Sequence, residues 1–188
     1  MTRHGLAAFL ALVVVAPLEA QSGLQQFATP DTALDAAHAV QQAAFIVLRD
    51  STATISAAGS RLMSEMTSTS SLAWMRVRAR AVAAACARSE APLASARTTA
   101  QQWKSTTDGQ RNAQAALLKE MPVFAGELAD CQKRWTAMVA DTSQTSLREN
   151  APYQMKLLQD KLDKFNRTAQ TYLRFISIKL PPPSPRKS

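Results

Sequence analysis

Glycine, aromatic residues and cysteine are all scarce in this chain. Of its 188 residues, 5 are glycine, 6% are aromatic and 2 are cysteine. That composition argues against a sheet, whose strands draw on aromatic and β-branched residues and whose turns draw on glycine. Histidine occurs only as His4 and His38, too few to assemble a Ser/His/acid trio once the N-terminus is set aside. Neither cysteine belongs to a CxxCH sequence, which excludes covalent haem attachment. The sequence has no glycine-rich phosphate loop, and it lacks the Glu plus Glu-x-x-His pattern of di-metal bundles. The longest apolar run, Leu6 to Ala16, falls well short of the roughly 20 residues needed to span a bilayer as a helix.

That run has a different meaning. In "MTRHGLAAFLALVVVAPLEAQSG" a basic start is followed by an apolar stretch, then Pro17 and the small residue Ala20. This order predicts a cleavable signal peptide over 1–20 and a mature chain starting near Gln21. No cysteine follows the apolar stretch, which argues against a lipid anchor, and no transmembrane segment remains after cleavage. The expected location is periplasmic or secreted, with 21–29 a flexible linker.

What the chain has in quantity is alanine, leucine, glutamine and charge, arranged at alternating steps of three and four. Such spacing keeps one helical face turned inward, as in a coiled coil. One seam runs Leu34, His38, Gln41, Phe45, Leu48, Thr52, Ile55, Gly59, Leu62, Met66 and another Leu72, Met75, Ala79, Val82, Cys86, Ser89, Leu93, Ala96, Ala100, Trp103. The remaining two are Gln114, Leu117, Met121, Phe124, Leu128, Cys131, Trp135, Met138 and Met155, Leu158, Leu162, Phe165, Ala169, Tyr172, Ile176. With turn signals at "TSTSS", "STTDG" and "DTSQTSLRENAP", they predict an all-α, antiparallel up-down-up-down four-helix bundle over 30–180. The helices are expected at about 30–66, 70–106, 109–140 and 150–179. The polar run "RDSTATISAAGS" weakens the first helix near 50–60, and Pro92 is a candidate break in the second. Residues 181–188 form a proline-rich basic tail that cannot be helix.

Cys86 and Cys131 are equidistant from Asp108-Gly109, so an antiparallel hairpin sets them at one height on facing seams. In an exported protein that geometry predicts a Cys86–Cys131 disulfide, stabilising by about 4 kcal/mol in the chain-entropy model.

The chemistry available beyond that is thin. Met66, Met75, Met138 and Met155 come from all four helices near one end, and thioethers suit Cu(I), making them the candidate metal ligands. Packing explains the same residues, because methionine fills irregular gaps and sits well against aromatics. His38 lacks a methionine at its level to complete an axial haem pair and reads as a member of a buried polar layer with Gln41. No catalytic residue and no cofactor is expected. Asn166-Arg167-Thr168 fits a glycosylation sequon in mid-helix.

The net charge of +8 invites an anionic partner. However, 30–66 and 108–141 are net negative while 67–107 and 142–180 are net positive, so neighbouring helices alternate in sign. Much of the charge then pairs across helix edges, and export removes nucleic acid as a partner. The sequence therefore predicts a non-enzymatic interaction or structural module, meeting an envelope protein or an anionic envelope surface, with no oligomeric state specified. The alternative is a periplasmic Cu(I)- or haem-binding bundle.

Overall fold

The computed structural model describes residues 30–67, 69–141 and 143–182. The expected signal peptide (1–20), the linker (21–29) and tail residues 183–188 lie outside them. Four helices follow in order: α1 Pro30–Glu65, α2 Leu72–Gln102, α3 Asp108–Ala140 and α4 Gln144–Phe175. No strand occurs among the described residues. Residues 30–35 belong to a separate compact unit, and the packing described below concerns residues 36–182.

Hydroxyl caps begin three of the helices. Ser71 accepts the Trp74 amide, Thr107 the Gln110 amide and Ser143 the Ser146 amide, each satisfying a donor that the first helical turn leaves free. Gln110 also reaches back to accept the Thr106 amide at 2.9 Å, close to a capping box.

Three boundaries differ by four residues or more from those expected, each for an identifiable reason. Helix α2 stops at Gln102 rather than 106, because Gln114 Nε2 donates to the carbonyls of Ala100 and Trp103 and closes the helix end from α3. Helix α4 starts at Gln144 rather than 150. Ser143 caps it, and Asn150 instead donates to the Ser146 carbonyl from within the helix. It also ends at Phe175 rather than 179. Ser177 takes φ 60°, and the Ser177 and Ile178 amides turn back onto the carbonyls of Arg174 and Leu173. That bond pair is a Schellman motif with serine where glycine is usual.

The suspected breaks do not occur. Helix α1 runs unbroken through 50–60, where Ser51, Thr52 and Thr54 donate their hydroxyls to the carbonyls of Leu48, Arg49 and Ser51. The polar run is thus satisfied inside the helix. Pro92, Pro122 and Pro152 all lie within continuous helices.

Side-chain contacts fix an antiparallel order. At one end His38 and Gln41 of α1 meet Ile176 and Thr99, beyond α4 and near the end of α2. At the other, Glu65 of α1 pairs with Arg78 of α2, and Arg148 of α4 donates to the Ser70 carbonyl. The core is continuous between these ends, with Ile55, Leu62, Leu117, Met121, Leu128, Phe124, Phe165 and Trp135 all at most 1% exposed. Phe124 and Phe165 stack with centroids 4.2 Å apart.

Helices α2 and α3 approach closely, and α2 buries the small side chains of Ala79, Ala83, Ala96 and Ala100. The Cys86–Cys131 disulfide joins them, with Cα atoms 6.2 Å apart and both residues almost wholly buried. Helix α1 stands further from its neighbours on Phe45, Leu48 and Tyr172. The wider spacing leaves a groove.

Candidate functional site: the groove between α1 and α4

The groove follows from residue size. On α1 the groove-lining positions after Arg49 are small: Thr52, Ala53, Ser56, Ala57 and Ser60. Opposite them α4 presents Phe165, Ala169 and Leu173 as floor, with Asn166 and Gln170 on the rim. The depression has a volume of about 490 Å³, within the usual range for ligand pockets between bundle helices.

Its lower end is already occupied by the chain itself. After the Schellman turn at Ser177, the segment Ile178–Pro182 runs beside α1 as a strap. His38 Nε2 donates to the Ile176 carbonyl at 2.9 Å, Gln42 Nε2 to that of Lys179 at 2.9 Å, and Arg49 to that of Pro181. Ile178 is 8% exposed and Leu180 packs against the core, so alternate residues face inward as in a strand. Arg49 also pairs with Asp50 at 2.8 Å, which fixes its guanidinium at the point where strap and groove meet.

Below the groove lies a buried polar layer. Gln41 Nε2 donates to the Thr99 carbonyl, and the His38 ring lies 5.1 Å from that of Trp103. Gln41 Oε1, Trp103 Nε1 and Tyr172 Oη are buried and have no partner among the described residues. Burial pushes the Tyr172 hydroxyl well above the ordinary tyrosine pKa. His38 therefore stands in a polar layer with Gln41, its Nε2 engaged by a backbone carbonyl.

The four methionines read as candidate ligands fall into two groups. Met75 is fully buried and Met155 nearly so, whereas Met66 and Met138 are partly buried at the edge of the core. Met155 lies over Gly59: a Cβ there would come within 1.9 Å of its Cε and 2.6 Å of its Sδ. Gly59 precedes Met66 by seven residues, roughly 10 Å along α1. Its thioether thus fills the hole beside a glycine. Among the described residues no three His, Cys, Asp or Glu side chains gather as a metal site.

Charge is distributed across helix edges. Lys161 and Lys164 of α4 pair with Glu127 and Glu120 of α3 at 2.7 and 2.8 Å, and Arg78 of α2 pairs with Glu65 of α1 at 2.6 Å. No described helix is long and apolar enough to cross a membrane.

Sequence reasoning missed the strap. Its signal was present: Ile176, Ile178 and Leu180 alternate just before Pro181-Pro182, a period of two where the helical period ends. Comparison with protein-family models, curated proteins and solved structures finds no match to this chain.

Proposed function

We propose that this protein is an exported, non-enzymatic interaction module of the periplasm or extracellular space. The observation that carries this reading is the Cys86–Cys131 disulfide between its two closest helices. Disulfides persist in oxidising compartments, and the N-terminal 1–20 sequence has the pattern of an export signal. The partly filled groove between α1 and α4 supports interaction as the role, since it offers an apolar floor with polar rims and carries no paired acid and base. A rigid, cross-linked core below an open groove suits a scaffold that presents a binding face.

Isolation of the native protein from an envelope extract with an antibody tests this role. The expected result is co-isolation of a defined partner at fixed stoichiometry. A protein that remains partner-free throughout the envelope fraction, or that turns over a substrate, contradicts it.

A further inference from the structure

We infer that the open upper part of the α1/α4 groove receives an extended, proline-containing peptide of a partner protein. This inference rests on the interaction-module reading and names the partner's chemistry. Its ground is continuity with an interface the chain already makes. The strap Ile178–Pro182 leads directly to the groove, with Arg49 and Leu180 lining both the seat of the strap and the open part above it. It also displays the recognition mode: apolar Ile178 and Leu180 face inward, and the carbonyls of Lys179 and Pro181, each one residue further on, take donors from Gln42 and Arg49.

The upper groove repeats those parts. Leu48, Phe165, Ala169 and Leu173 continue the apolar floor. Asn166 and Gln170 stand on the α4 rim with no hydrogen-bond partner among the described residues, the same kind of carboxamide that already holds Lys179. An acyl chain has no use for such donors, whereas a peptide backbone does. Proline fits for a further reason. Helix backbones are satisfied internally, so the amides of a peptide lying between two helices find no free main-chain carbonyl and depend on side-chain oxygens alone. A proline-rich segment keeps the carbonyls and lacks the amides. From Arg49 to Ser60 the groove extends roughly 16 Å, which about five extended residues cover.

The probe is a synthetic blocked peptide Ile-Lys-Leu-Pro-Pro-Pro, added to the ¹⁵N-labelled mature chain and followed by NMR. Saturable shifts are expected at the backbone amides of Ala53 and Ala57 and at the side-chain amides of Asn166 and Gln170. Ala57→Trp, which fills the groove, should weaken binding by about tenfold or more, equivalent to about 1.4 kcal/mol. Val123→Trp on the exposed face of α3 should leave binding unchanged. The paired surface change Asn166→Ala/Gln170→Ala, which removes no core group, should also weaken it. The inference is overturned if no saturable shift appears up to millimolar peptide, or if these groove variants bind as well as the parent. It is equally overturned if the same resonances shift with protein concentration alone, which would make a second copy the occupant. Any of these failures leaves the antibody co-isolation result standing, so the two readings fail separately.

Discussion

Ser177 is the residue at which a helix becomes a strap, and it does so with φ 60°, a region where a Cβ is unfavourable. Ser177→Gly removes that strain while keeping both Schellman bonds. Denaturant unfolding of the variant should show a gain of about 0.5–1 kcal/mol. Gly126 is the converse case. It is exposed within α3, and a Cβ there meets nothing within 4 Å. Gly126→Ala should stabilise by about 1 kcal/mol through helix propensity alone. Tyr172 offers a test in pH. Its hydroxyl is buried without a partner among the described residues, and burial raises its pKa in the folded state. The stability tied to the neutral phenol is therefore complete below the unfolded value near 10 and is lost as pH rises above it. Tyr172→Phe should lose little at neutral pH and should outlast the parent above about pH 10 in thermal melts.

At the scale of elements, the hairpin α2–α3 and the strap hold the bundle in different ways. The disulfide shortens the unfolded chain between 86 and 131, and Cys86→Ala/Cys131→Ala should cost about 3–4 kcal/mol in urea unfolding. The strap works through burial and side-chain bonds to α1. Ile178→Asp places a charge at an 8% exposed position and should cost at least about 2 kcal/mol, while leaving the α2–α3 disulfide intact by mass spectrometry. How legible each was differs. The cysteine pairing could be read from spacing about Asp108-Gly109, because antiparallel helices convert sequence distance into height. The helices were legible for the same reason, through Phe124, Leu128 and Cys131 at steps of four and three. Their ends were not. Gln114 closing α2 from another helix, and hydroxyls satisfying α1 internally, are tertiary or rotameric events that a periodic pattern does not encode. The groove was hidden too, because the polar run holding Thr52, Ser56 and Ser60 read as a weak point in the helix rather than as space.

For the whole molecule, charge sets arrangement more than stability. Edge pairs such as Lys164–Glu120 join helices of opposite sign, yet exposed pairs of this kind contribute about 0–1 kcal/mol each and are screened by salt. Cohesion rests on the buried core and the covalent link, and that link ties the fold to its proposed compartment. The decisive measurement is mass spectrometry of the protein recovered from the periplasmic or secreted fraction, alkylated before and after reduction. The prediction is a chain beginning at Gln21 that takes up no alkylating agent until reduced, and then takes it up at Cys86 and Cys131. A chain that keeps Met1 in the cytoplasm, with both thiols modified at once, would contradict it.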